Sequence, residues 1–246
     1  MADWNDTSRN AQRLGSVPRA GGDVAGRFDE GLRKHMLSIY NYMTSGILLT
    51  GIVALMAFTS GVAETIFTGG ILRWIVALSP MIVVFAMSFG ANRFSTATLQ
   101  AMFWGFAVLM GLSLSSVFLV YTGGSIATTF FATAAAFAGL SLWGYSTKKD
   151  LSGMGSFLIM GVIGLLVAMI INMFLKSPAF HYAISFIGVL IFAGLTAYDT
   201  QRLKTEYQYL RGTEFAGKAV ILGALNLYLD FINMFTFLLQ FLGNRE

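Results

Sequence analysis

The residue that could do chemistry most conspicuously is Asp230, an acid inside a run with no other charge from Ala219 to Asn244. Asp, Lys or Arg at the centre of a membrane-spanning helix costs about 2.5–3.5 kcal/mol on the insertion scale, so a carboxyl there marks function by default. Asn226, Asn233 and Gln240 fall with it on one arc of roughly 80° at 100° per residue. Such a polar stripe on an apolar helix should face a bundle interior or a wet cavity rather than lipid. The amides have a plainer use as well, gluing neighbouring helices by hydrogen bonds.

Asp199 is a second acid, closing an apolar segment in Leu195-Thr196-Ala197-Tyr198-Asp199-Thr200-Gln201-Arg202. Taken alone it reads as a solvated helix end. Arg93, in Asn92-Arg93-Phe94, reads on its own as an anchor at the membrane surface. His35 and His181 belong to opposite ends of the membrane and cannot share a metal ion. No His-Glu-x-x-His and no Gly-x-Ser-x-Gly occurs, and the chain is read as not an enzyme. With no cysteine, thiolate nucleophiles and Cys-based metal or disulfide frameworks are excluded. No cofactor motif is found, and no nucleic-acid partner is expected.

The elements that must hold these residues follow from composition. Of 246 residues, 56% are hydrophobic and 11% are charged, against roughly 25% charged in soluble domains. That excludes an ordinary soluble enzyme and a disordered chain, and leaves an all-α integral membrane protein in contact with the lipid bilayer. Seven apolar segments, near 36–60, 71–91, 97–120, 125–145, 154–175, 180–200 and 217–242, are each long enough to cross ~30 Å of hydrocarbon. They are apolar on every face, which argues against lipid-spanning strands.

Residues 1–34 form a charged, Gly-rich leader without a signal-peptide h-region, read as a flexible cytoplasmic tail ahead of a transmembrane domain over 35–246. Lys and Arg divide 13 to 3 between the two sides, which places the N-terminus in the cytoplasm. Seven full spans then put the C-terminus on the far side. A re-entrant last segment with a cytoplasmic C-terminus is the alternative.

Four segments together resemble the Bax inhibitor-1 (transmembrane Bax inhibitor motif) family. They are Ile39-Tyr40-Asn41-Tyr42-Met43-Thr44-Ser45-Gly46, Lys148-Lys149-Asp150-Leu151, Tyr198-Asp199-Thr200-Gln201 and Leu227-Tyr228-Leu229-Asp230-Phe231-Ile232-Asn233. The resemblance extends from about residue 30 to the end, and overall it is to bacterial members, which implies a bacterial inner membrane. It implies seven helices with the last at the centre of the other six, and a pH-sensitive calcium leak. By resemblance Asp199 and Asp230 pair as the pH sensor and can present oxygens to calcium, while Arg93 latches the last-helix aspartate.

Two carboxyls held in a low-dielectric site cannot both ionise cheaply and titrate as a unit, which suits that role. Depth is in tension with it. Asp199 ends its segment as drawn, whereas Asp230 lies about 17 Å inside its own. Some bacterial proteins similar to this one instead modulate a membrane-bound ATP-dependent protease, for which the 1–34 tail is the natural contact.

Overall fold

The computed structural model describes the backbone of residues 20–244 and the side chains of residues 30–244. Among the described residues there is no β-strand; the chain is a series of helices, seven of them long and apolar enough to cross a membrane. These are α1 (Ala20–Thr59), α3 (Leu72–Gly90), α4 (Thr96–Leu114, continued by a 3₁₀ turn over Ser115–Leu119), α5 (Gly123–Ser146), α6 (Ser152–Leu175), α7 (Pro178–Leu210) and α8 (Ala216–Leu242). The short α2 (Val62–Thr68) links α1 to α3.

Local chemistry sets the boundaries. Ser95 accepts from the Thr98 amide to start α4, and Thr122 from the Ser125 amide to start α5. Ser177 accepts from the Phe180 amide ahead of Pro178, which opens α7 at the one position where a missing N–H costs nothing. Gly212, at φ 77°, makes the turn that ends α7.

Two boundaries differ from those read off the sequence. Residues 20–34, assigned to the tail proposed to meet a protease, are the first turns of α1; the rest of that tail, residues 1–19, lies outside the described residues. The sixth span does not stop at residue 200 but runs to Leu210. Its last turns, Gln201 to Leu210, are polar yet made of good helix formers, and Arg202 and Glu206 pair one turn apart at 3.2 Å, so nothing there ends a helix.

The last helix is the most buried, with 67% of its apolar window covered against at most 33% in any other span. It packs chiefly against α7, α1, α5 and α4, whereas α3 lies on α4 and α6 on α7. The expected ring of six is thus four, with α3 and α6 as outer helices that are only 11% buried and turn Trp74, Phe89, Phe157 and Phe174 outward. A surface this apolar is what lipid contact requires.

The re-entrant alternative for α8 is not what the chain adopts. The helix is continuous over Ala216–Leu242, and its end is tied to the α4–α5 turn on the opposite face from its start: the Thr122 amide donates to Asn244 O at 3.2 Å, and the Asn244 amide to Ser125 Oγ at 3.0 Å. At the other end Lys218 Nζ donates to Ala91 O, joining α8 to the α3–α4 turn.

The middle of α8 is held by Tyr228, fully buried and edge-on to Phe103 and Phe106 of α4. Thr50 gives its proton to Ala107 O at 2.8 Å, so the Tyr228 hydroxyl donates to Thr50 Oγ1 at 2.6 Å. Three helices share that chain of bonds.

Candidate functional site

Asp199 on α7 and Asp230 on α8 meet at the interface of these antiparallel helices. Their register is fixed by Gly223 beside Leu203, Gly188 beside Phe237, and Ser185 Oγ donating to Gln240 Oε1 at 3.4 Å. Reading along that register brings the two acids within about one turn of each other, a gap their side chains close. The carboxyls are within hydrogen-bonding reach. The continuation of α7 to Leu210 removes the apparent mismatch in depth: Asp199 is an interior residue of a long helix, not its end.

Both acids are buried, at 8% and 4% relative exposure, and Asp230 Oδ2 has no hydrogen-bond partner among the described residues. Two carboxylates offer each other no proton, so contact between them requires one shared between the oxygens. Such a proton would bind α7 to α8, and its loss would replace a hydrogen bond with a repulsion at low dielectric.

The cation at the pair is Arg202, not Arg93. Arg202 Nη1 lies 3.2 Å from Asp199 Oδ1, its Nε approaches Glu206 Oε1 at 3.2 Å off the hydrogen-bonding axis, and its guanidinium sits 5.9 Å from the Tyr198 ring centroid. Arg93 is exposed in the turn after α3 and makes no ion pair among the described residues, because that turn lies at the membrane surface while the pair lies within the bundle. The signal for Arg202 was in the sequence. Asp199, Arg202 and Glu206 are spaced i, i+3 and i+7 on one helical face, which becomes visible once the helix is carried past residue 200.

The polar stripe divides. Asn226, Asn233 and Gln240 are half-buried on the least covered face of α8, beside Leu222, Leu229 and Thr236, while Asp230 at the edge of that arc is buried. Gln240 accepts from α7, and Asn233 Nδ2 donates to Leu229 O of its own helix at 2.8 Å, so these amides serve packing and backbone.

Gln201, quoted in a motif but given no role, is a clamp. Its Oε1 accepts from the Leu151 amide and its Nε2 donates to Lys149 O, both at 2.8 Å, while Lys204 Nζ donates to Tyr145 O at 2.8 Å. The Lys148–Leu151 motif is thereby fixed to the turn of α7 that follows Asp199. Asp150 closes the same loop: its Oδ1 accepts from the Ser152 amide at 2.9 Å, and bonds from the Ser152 side chain and amide hold its carboxyl below the ordinary value. A lowered value in the folded chain means this contribution is complete above the unfolded-state value and disappears as pH falls through the folded one. Asp150→Ala is therefore expected to speed hydrogen exchange at the first turn of α6 at neutral pH, with a difference that shrinks as acid protonates the carboxyl; equal exchange at neutral pH would refute the cap.

Among the described residues no three His, Cys, Asp or Glu side chains gather as a metal site. The His35 ring lies 5.1 Å from that of Tyr207, tilted by 39°, and His181 lies near the opposite end of the bundle, at the start of α7.

Comparison with known proteins agrees with the motifs. The family described as "Inhibitor of apoptosis-promoting Bax1" matches residues 32–246. An uncharacterized protein of Caulobacter vibrioides is 48% identical over 98% of this chain and 100% of its own length. The uncharacterized protein RP147 of Rickettsia prowazekii is 45% identical over 89% of this chain and 93% of its own. "Inner membrane protein YbhL" of Escherichia coli K12 is 44% identical over 88% of this chain and 94% of its own. With seven apolar helices, the paired motifs on α7 and α8 and a family match from α1 to the C-terminus, the chain belongs to the Bax inhibitor-1 family of multi-pass membrane proteins.

Proposed function

We propose that this protein is a pH-sensitive calcium leak channel or transporter of the bacterial inner membrane, with the Asp199–Asp230 pair as its sensor. The observation that carries the reading is a carboxyl pair buried between two helices with one oxygen, Asp230 Oδ2, left without a hydrogen-bond partner among the described residues. A group built only for packing would not be left so, because an unsatisfied buried polar atom costs on the order of 1–3 kcal/mol. With one shared proton the pair joins α7 to α8. With both groups ionised, Asp199, Asp230 and Glu206 face the single guanidinium of Arg202, the interface is strained electrostatically, and hard carboxylate oxygens face a cation that prefers them.

The test uses the purified full chain in liposomes loaded with a calcium indicator. Asp199→Asn and Asp230→Asn keep the size and hydrogen-bonding capacity of the side chain but cannot ionise. Each is expected to flatten the pH dependence of the leak. A wild-type pH profile in both variants would remove the pair as sensor.

A further inference from the structure

α1 and α5 both lean on α8 but have no substantial contact with each other, and between them lies an open cleft of about 920 Å³. Its floor is Phe231, the residue after Asp230, and its walls include Met36, Tyr40 and Ile47 of α1 with Phe130 and Phe137 of α5. Along α1 the cleft extends from Arg33 to Leu48, about 22 Å at 1.5 Å per residue, which is one leaflet with its share of the headgroup layer.

The two ends differ in chemistry. The deep end is hydrocarbon and aromatic, whereas the mouth has Arg33, exposed and without an ion-pair partner among the described residues. Lys204 of α7 is outside the lining but adjoins it: it sits 4.9 Å over the ring of Tyr145, which lines the cleft, and spends one of its three protons on Tyr145 O. Among the described residues no carboxylate lines the cleft; Glu30, one turn before Arg33, and Glu206, held by Arg202, are the acids nearest in sequence to the two cations.

We infer that the α1–α5 cleft binds one anionic phospholipid of the bilayer, an acyl chain lying over Phe231 and the phosphate held by Arg33 and Lys204. A volume near the upper end of small-molecule sites suits a lipid chain. Basic pockets between spanning helices are where anionic headgroups bind, at about 1 kcal/mol for each Lys or Arg. The inference does not depend on the calcium reading.

The full chain, reconstituted in vesicles of equal phosphatidylglycerol and phosphatidylcholine and released into detergent for native mass spectrometry, should retain one phosphatidylglycerol. Arg33→Gln and Lys204→Gln should each reduce that retention about fivefold. Ala138→Trp, which fills the cleft from α5, should abolish it. Gly164→Trp, on the lipid-facing surface shared by α6 and α7, should leave it intact. Arg33 is exposed, so its substitution reads out even if the tryptophan variants fail to fold. Retention in Ala138→Trp equal to wild type, equal retention of both lipids, unchanged retention in Arg33→Gln, or a dimer in place of the lipid adduct would each overturn the assignment.

Discussion

Gly144→Val is expected to destabilise the bundle by about 3–5 kcal/mol, more than any other single change considered. Gly144 of α5 lies against the backbone of Ala197 on α7: a Cβ there would fall on the Ala197 carbonyl oxygen, with Ala197 Cα at 2.9 Å. Backbone cannot step aside as a side chain can, so the helices must separate. Overpacking of this kind costs typically 1–3 kcal/mol. Separation also breaks the buried Ser141–Thr200 bond at 3.2 Å and loosens Lys204 from Tyr145 O, each about 1 kcal/mol. Gly139→Val, on the same helix but with open space at its Cβ, is the control and should stay within about 1 kcal/mol, since valine meets nothing there and is the better helix former of the two. Equilibrium unfolding in detergent compares the two. If both variants unfold together with the wild type, the close approach of α5 and α7 is wrong.

Arg202→Gln should cost about 2 kcal/mol. Breaking a fully buried ion pair costs 3–5 kcal/mol, and the figure here is lower because the guanidinium is 34% exposed. The sign of its pH dependence follows from what remains. Without Arg202, the carboxyls of Asp199, Asp230 and Glu206 have no cation among them, so the deficit should be largest at alkaline pH, where all are ionised, and should shrink as acid neutralises them. Adding Asp199→Asn to Arg202→Gln should recover part of the loss, with a coupling energy of about 1 kcal/mol or more. Arg93→Gln should change stability by less than about 0.5 kcal/mol, as exposed surface substitutions do. A larger effect at Arg93 than at Arg202 would return the latch to the residue that the family resemblance first indicated.

The contrast between these two arginines shows where the sequence stops being informative. Seven spans and the singular position of Asp230 are legible because apolar length and an isolated charge are local properties of the chain. The continuation of α7 is not, because hydropathy falls at Gln201 while helix propensity does not, and a reading by hydropathy ends the helix where only the membrane contact changes. That one boundary hid the i, i+3, i+7 face of Asp199, Arg202 and Glu206, and made the two aspartates look unequal in depth. The Gln201 clamp was hidden for another reason: its partners, Lys149 O and the Leu151 amide, are backbone groups of a loop some fifty residues away, and no side-chain pattern encodes them. The half-buried amides of α8 were placed on the correct arc by the helical wheel, which gives angle but says nothing about which neighbour covers it.

Asp230 stands near the midpoint of α8, and Asp199 reaches it from a helix that extends well beyond it on one side. If the pair is the proposed sensor, a proton arriving at it from either compartment would cross roughly half of the membrane's electric field. Moving one elementary charge through 100 mV is worth about 2.3 kcal/mol, so half of it, about 1.2 kcal/mol, is close to a sevenfold change in occupancy. On the function proposed above, the burial that makes the carboxyls costly would also make them an electrometer: an energised membrane and a depolarised one would present this pair with different proton occupancies at one and the same pH.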